Sequence, residues 1–376
     1  MANTCLLLVL CLLTCDALNL LPDIGVANYT CPDTVMKKSE EVPQNVNSVR
    51  PADIRVVMAM GDSLTAGNGA GALTALGVLL QYRGLTFQAG GDKSLEEHIT
   101  IPNILKKYNP DLFGYSTGIG NENEYDVSHL NVAVSGALAS GLPDQANHLV
   151  DLLKNNSDVN ITEDWKMLNI FIGGNDLCSF CTHPENSPQN ASTYIAEAIQ
   201  IIYDNIPRVI VSLTGILHLE ILRQTDSGRF FCSAIHVFEC HCTSDNSIST
   251  ETIANASNLY NFYEDQLQTS GRFEKDDFTL VVQPFFSNTT IPPEINGETN
   301  RQFFAPDCFH FSQWGHALIA SHLWNNILEP VGSKTTVANI SIPALPLSCP
   351  DVNCPFIRTP RNSVNCSEYL TASSSI

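Results

Sequence analysis

Arg55-Val-Val-Met-Ala-Met-Gly-Asp-Ser-Leu-Thr-Ala-Gly67 joins an unbroken apolar run, Val56 to Met60, to a turn at Gly61-Asp-Ser-Leu64. A short apolar run without alternation reads as a strand buried on both faces, the pattern of a parallel sheet covered by helices. A serine just past such a strand is delivered to the carboxyl edge of the sheet. Open α/β sheets bind ligands at that edge, where the chain turns and leaves backbone N–H groups free. Ser63 is therefore the candidate nucleophile.

A serine hydroxyl attacks only when a base takes its proton and an orienting group holds that base. Near the C-terminus, Asp307-Cys-Phe-His310 sets a carboxylate three residues before an imidazole. One short turn can aim Asp307 at one ring nitrogen while the other faces Ser63. Lys166-Met-Leu-Asn-Ile-Phe-Ile-Gly-Gly-Asn-Asp176 is a second buried-strand run, and it ends by placing the Asn175 amide at the edge that carries Ser63.

Five strand runs, Val56–Met60, Asn131–Val134, Leu168–Ile172, Val209–Leu213 and Leu280–Gln283, are spread over one long span with helical stretches between them. This predicts a single α/β core over residues 40–345 with a mainly parallel sheet. Ala317, Ala320, Trp324 and Ile327 recur at helical spacing before Pro330, which predicts a helix after His310. Leu73, Leu76 and Leu80 mark a helical face after Ser63, although Gly67, Gly69, Gly71 and Gly77 loosen it. Residues 18–39 read as an N-terminal extension. Residues 346–376, with repeated prolines and three cysteines, read as a stapled tail without regular structure.

Residues 1–17 carry the apolar run Cys5 to Leu13 and a small residue at Ala17, the pattern of a secretory signal peptide. The run is shorter than the ~20 residues a membrane span needs. Of thirteen cysteines, three lie in this leader and ten remain, an even number that suits full pairing in an oxidising compartment. Eight Asn-X-Ser/Thr sequons, at Asn28, Asn155, Asn160, Asn190, Asn255, Asn288, Asn339 and Asn365, predict N-linked glycans on surface loops. Together these predict a secreted protein.

The net charge is −20, with 19 basic against 39 acidic residues and no basic run. Nucleic acid is excluded as a partner on that balance, because phosphate backbones are bound by Lys and Arg. Attraction to anionic membranes is excluded by the same argument, so any transient contact with lipid must be apolar.

Three other patterns compete. Gly67-Asn-Gly-Ala-Gly-Ala72 fits a loose dinucleotide fingerprint, but six residues separate it from its strand. Gly114-Tyr-Ser-Thr-Gly118 fits a nucleophile elbow, but Lys106-Lys-Tyr-Asn-Pro110 is no buried strand, so Ser116 reads as a turn residue. His236, Cys240, His241 and Cys242, and Cys178-Ser-Phe-Cys181, could bind metal or shuttle electrons; in a secreted chain they read as disulfide cysteines whose partners the sequence leaves open.

Gly61-Asp-Ser-Leu64, Gly136 in Asn131-Val-Ala-Val-Ser-Gly136, Gly173-Gly-Asn-Asp176 and Asp307-Cys-Phe-His310 resemble, in order, the four blocks of the GDSL, or SGNH, hydrolase family. Tyr82-Arg-Gly-Leu85, Gly90-Gly-Asp92, Pro102 to Lys107, Gly114 to Gly118 and Pro355 to Ser363 are similar to its phospholipase B subgroup. The likeness covers nearly the whole chain after the leader. It implies a flavodoxin-like three-layer α/β/α sandwich that hydrolyses carboxylic esters without metal or other cofactor. It implies Ser63 as nucleophile, His310 as general base and then acid, and Asp307 as orienting carboxylate, with Asp176 a second candidate for that role. The Ser63 and Gly136 N–H groups and the Asn175 amide would form the oxyanion hole. Membrane-bound members carry tandem repeats and a C-terminal span, whereas this sequence reads as one unit without a span, a departure that counts against the expectation of a membrane anchor. The expected substrate is a phospholipid or lysophospholipid. The alternatives are a carbohydrate or short-chain carboxylesterase of the same fold, and a non-catalytic secreted binding protein, against which the intact Ser63, Asn175, Asp307 and His310 argue.

Overall fold

Four of the five expected strands form one parallel sheet: β1 (Ile54–Gly61), β2 (Trp165–Phe171), β3 (Val209–Thr214) and β4 (Phe278–Gln283), in the order β1-β2-β3-β4. The computed structural model describes residues 24–225, 230–341 and 345–370; the leader expected over residues 1–17 lies outside them. Met58 pairs with Leu168, Leu168 with Val211 and Val211 with Leu280. β2, β3 and β4 are buried along their whole length, as their unbroken apolar runs require.

The fifth expected strand, Asn131–Val134, is not a regular one. It runs along the free edge of β1, where Val132 N–H donates to Ala59 O (3.0 Å), Val134 N–H donates to Gly61 O (3.2 Å), and Ala59 N–H donates to Leu130 O (3.0 Å). Only Ala59 and Asn131 form a bridge. The next rung is lost because Gly61 N–H donates to Gln145 Oε1 (2.9 Å) instead of to this segment, while the Asn131 side chain bonds its own surroundings, its Oδ1 accepting from Ala133 N–H (3.2 Å) and its Nδ2 donating to Thr65 O (2.9 Å). Counted in chain order with this segment, the sheet reads 2-1-3-4-5, the flavodoxin-like order. Chain order reverses between β1 and β2, so the crevice of this fold class falls there.

Eight helices matter for the site: α1 (Ser63–Ala66), α2 (Ile101–Tyr108), α3 (Leu142–Lys154), α4 (Gly174–Ser179), α5 (Pro188–Asn205), α6 (Phe230–Glu239), α7 (Thr250–Thr269) and α8 (Gln313–Leu328). α3, α5 and α7 pack side by side against one face of the sheet, and α2 and α8 cover the other. α5, α7 and α8 each open on a capping serine, Ser187, Ser249 and Ser312, whose hydroxyl satisfies a first-turn N–H.

Two expectations are corrected. Leu73, Leu76 and Leu80 do not form an α-helical face toward the core; Ala75–Leu79 is a 3₁₀ turn, and all three leucines are exposed. The four nearby glycines and the close approach of Tyr82 to Gly71 favour tight turns over a regular helix. The tail also carries structure, with short helices at Pro360–Val364 and Ser367–Leu370. It is anchored by Asn362 Nδ2, which donates to Asn47 O (3.0 Å) and Ile357 O (2.8 Å). All eight sequon asparagines are exposed. Asn190 and Asn255, however, stand on α5 and α7 rather than on loops.

All ten cysteines expected to pair form five disulfides, Cys31–Cys349, Cys178–Cys240, Cys181–Cys242, Cys232–Cys308 and Cys354–Cys366. The two clusters that could have bound metal are paired with one another instead. Cys178–Cys240 closes a separation of 62 residues, for which chain-entropy reasoning gives about 4 kcal/mol. Replacing both cysteines by serine is expected to lower the unfolding free energy by about 2–4 kcal/mol in urea titrations; an unchanged midpoint would mean that the bridge adds nothing to the fold.

Candidate active site

β1 ends at Gly61, whose N–H and C=O are both held by the Gln145 side chain of α3 (2.9 Å each). The turn admits only glycine: at φ 157° a Cβ would stand 2.3 Å from both Phe171 O and Thr65 Oγ1. Asp62 then caps α1, its Oδ1 accepting from Leu64 N–H (2.9 Å), which places Ser63 at the mouth of the crevice between β1 and β2.

Asp307 builds the loop that presents His310. Its Oδ1 accepts from Phe309 N–H (3.0 Å) and His310 N–H (3.1 Å), and its Oδ2 accepts from His310 Nδ1–H (2.5 Å). With the Nδ1 proton so directed, Nε2 is left as an acceptor, and it lies 2.8 Å from Ser63 Oγ. Burial alone would raise the Asp307 pKa, but the His310 hydrogen bond and charge, with the two backbone donors, lower it. Burial would likewise lower that of His310, yet the Asp307 hydrogen bond and the negative charges of Asp307, Glu239 and Asp62 raise it above the ordinary imidazole value. The arrangement can pass a proton from Ser63 to an imidazole whose cationic form is stabilised.

Asp176 is not on the imidazole. Its carboxylate accepts from Ala139 N–H (3.0 and 3.3 Å), while the neighbouring Asn175 Nδ2 donates to Ala137 O (2.9 Å). Both side chains thus hold the segment that follows Gly136. Burial pushes Asp176 up to about 6 and Asp62 up to about 7. Gly136 adopts φ 77°, a left-handed conformation that glycine takes without strain. Among the described residues no acceptor meets the N–H of Ser63 or of Gly136. An amide carries two donor hydrogens, so Asn175 retains one after its bond to Ala137. The Ser63 and Gly136 N–H groups and one Asn175 amide hydrogen are therefore left uncommitted among the described residues.

Two contributors were not visible in the sequence. Arg83 is fully buried, and its guanidinium donates to Asn131 O (2.8 Å), Ala133 O (2.7 Å) and Gly120 O (3.0 Å), so it fixes the segment leading to Gly136. Glu239, at the end of α6, brings a carboxylate oxygen to within 4.8 Å of ligand atoms of Asp307 and His310. Cys232–Cys308 ties that helix to the loop. Burial and the nearby Asp307 charge push Glu239 up to about 7. These three side chains could hold a cation only by diverting Asp307 or Nε2 of His310 from the Ser63 chain. Only the resulting distance, not sequence spacing, could have revealed either residue.

The competing patterns fall elsewhere. Ser116 is buried, and its hydroxyl is directed to the backbone carbonyls of Arg83 (2.9 Å) and Ala89 (3.2 Å) rather than to an imidazole. Gly67 of the glycine-rich stretch is the left-handed cap of α1.

A serine, an imidazole and a carboxylate in series at the switch point of an α/β/α sandwich define the class: a serine hydrolase. Residues 57–323 match the GDSL-like Lipase/Acylhydrolase family, and the chain belongs to that family. It is 43% identical over 347 residues to "Phospholipase B1, membrane-associated" of Homo sapiens, covering 90% of this chain and 24% of that protein. It is 42% identical over 346 residues to the protein of the same name from Mus musculus, covering 90% and 23%. The chain thus spans about a quarter of the length of these relatives.

The contacts of the two carboxylates separate their effects. Asp307→Asn is expected to lower kcat by about 10⁴-fold, by loss of the correct tautomer and of imidazolium stabilisation. Asp176→Asn, acting through the 137–139 segment, should cost far less; the reverse ranking in folded proteins would move the orienting role to Asp176. The charges around His310 set a pH limit. The neutral imidazole is the base, so kcat/KM should fall as pH drops through a midpoint above the ordinary histidine value. Glu239→Gln removes an anion that favours the imidazolium, and its acid limb should move to lower pH; an unmoved limb would mean that Glu239 does not act on His310.

Proposed function

We propose that the protein is a secreted serine esterase that hydrolyses the acyl ester bonds of phospholipids and lysophospholipids. The observation that carries this is the series Asp307 Oδ2, His310 Nδ1, His310 Nε2, Ser63 Oγ, with separations of 2.5 and 2.8 Å. Ser63 attacks the ester carbonyl as His310 takes its proton, and Asp307 holds the ring and stabilises the imidazolium. Negative charge then grows on the carbonyl oxygen, where the Ser63 and Gly136 N–H groups and the free Asn175 amide hydrogen would receive it. His310 returns its proton to the leaving alcohol, and water reverses the sequence on the acyl-enzyme.

The substrate class is supported by the 42–43% identity to proteins named phospholipase B1. Secretion is supported by the five disulfides and by the exposure of all eight sequon asparagines, which glycans would require. Asn175→Ala is a sharp test of the oxyanion assignment, with an expected loss of roughly 10²–10³-fold in kcat and little change in KM. The substrate reading is tested by fatty-acid release. The native protein should liberate fatty acid from phosphatidylcholine and lysophosphatidylcholine, and Ser63→Ala should liberate none. Acetate release from an acetylated sugar, with phosphatidylcholine untouched, would replace the substrate class; no turnover and no labelling of Ser63 by a fluorophosphonate would leave a binding protein.

A further inference from the structure

Twenty consecutive residues, 63–82, contain no Asp, Glu, Lys, Arg or His, in a chain whose net charge is −20. Within them, residues 69–80 form a closed loop. Gly69 N–H donates to Leu80 O (3.0 Å), Tyr82 N–H donates to Gly67 O (2.9 Å), and Asn68 bridges Gln81. A compact loop with paired ends and its own packing is a surface element with a fixed shape.

The loop sorts its side chains. Ala72 and Val78 turn inward onto Ala305, with Tyr82 beside them. Leu73, Leu76, Leu79 and Leu80 turn outward, 47, 80, 77 and 48% exposed. In a 3₁₀ turn residues three apart eclipse, so Leu76 and Leu79 share one face. Single exposed leucines need no explanation, but four within eight residues form a contiguous apolar patch. Ile119, 50% exposed, adjoins it through the Gly120 N–H bond to Gln81 O (3.0 Å).

The patch is joined to both ends of the site. Asn68 N–H donates to Ser63 O (2.9 Å), at the root of the loop. On the other side Gln313 N–H donates to Ala70 O (2.6 Å), and Ala305, on which the loop rests, donates its N–H to His310 O (2.7 Å). A body that lands on these leucines therefore lands beside Ser63 and His310.

We propose that loop 69–80 is the surface by which this protein seats itself on a zwitterionic phospholipid layer, with its leucines entering the acyl boundary. The substrate in that layer rests on the reading of the site given above. The loop's lack of charge selects the occupant. An anionic surface would repel a body of net charge −20, and Glu122 and Glu124 follow Ile119 closely in the chain. A zwitterionic layer has no net charge to oppose that body, and its acyl region accepts uncharged leucine without a desolvation penalty. An apolar surface that enters the headgroup boundary by ~5–10 Å reaches the depth at which acyl esters lie.

The test uses protein carrying Ser63→Ala, so that lipid is not consumed, and flotation with phosphatidylcholine vesicles. This protein should float with the vesicles, and adding Leu76→Asp and Leu79→Asp should weaken binding at least ten-fold. Val352→Asp with Val364→Asp, at exposed apolar positions 58 and 89% accessible, should leave it within two-fold. With Ser63 restored, the leucine variant should hydrolyse a soluble short-chain ester at the native rate, which excludes misfolding. Equal vesicle binding by the leucine variant would overturn the proposal, as would binding that rises with added phosphatidylserine. A native dimer made monomeric by the two substitutions, with lipid binding unchanged, would assign the patch to a second copy of the chain. If leucine-dependent binding is found but the native protein releases no fatty acid from the vesicles, the seating surface stands and the substrate reading falls.

Discussion

The hydrogen bond between Ser63 Oγ and His310 Nε2 joins residues 247 apart in the chain. A neutral hydrogen bond contributes only about 1 kcal/mol net, so it cannot itself hold two loops together. Other parts of the structure must bring its ends into place. On one side this is done by the buried strand β1 and by Gln145, which grips both polar groups of Gly61. On the other, the Asp307 side chain organises its own turn, Phe303 packs edge-on against Phe311, and Ser312 caps the helix that follows. Cys232–Cys308 fastens this loop to α6. The reactive geometry is thus a consequence of the scaffold, as preorganisation requires.

The same economy of contacts divides the carboxylates. Asp62, Asp176, Glu239 and Asp307 all lie near the site, but only Asp307 has the imidazole as a hydrogen-bond partner. A buried carboxylate without such a partner tends toward its protonated form, and Asp62, Asp176 and Glu239 are each pushed up to about 6 or 7. Asp307 moves the other way. As pH falls below about 6, Asp62, Asp176 and Glu239 therefore take up protons while the one carboxylate that faces the ring keeps its charge; Asp62 and Asp176 meanwhile act as acceptors for backbone N–H groups. This explains how two adjacent residues, Asn175 and Asp176, can both be occupied with the segment behind Gly136.

What the sequence made legible was local. Four strands were read from short apolar runs because a strand buried on both faces writes its environment directly into its residues. The spacing Asp307 to His310 was readable because a single turn suffices to bring the two side chains together. Asn131–Val134 looked like a strand by composition, yet Gln145, from a distant helix, takes the Gly61 N–H that the next rung of the ladder would have used. Arg83 and Glu239 could not be found, since an arginine is distinguished only by the carbonyls it meets 37 to 50 residues away, and a glutamate only by the loop to which a disulfide ties it. The pairing of Cys178 with Cys240 and of Cys181 with Cys242 is of the same kind.

Leu73, Leu76 and Leu80 were misread for a different reason. Apolar residues at roughly helical spacing are assigned to a core because burial is the usual way to remove them from water. That inference assumes that the partner lies within the same chain. Here the inward positions are taken by the small residues Ala72 and Val78, which fill the space above Ala305, and the leucines are left outside. The cost of exposing them is borne in water and relieved by whatever covers them. A protein of net charge −20 can keep such a patch soluble through its acidic remainder, while the absence of charge from residues 63–82 leaves one face able to approach an apolar layer. Because that face shares its backbone with Ser63 and rests on the loop of His310, orientation on a surface and access to the site are set by the same twelve residues.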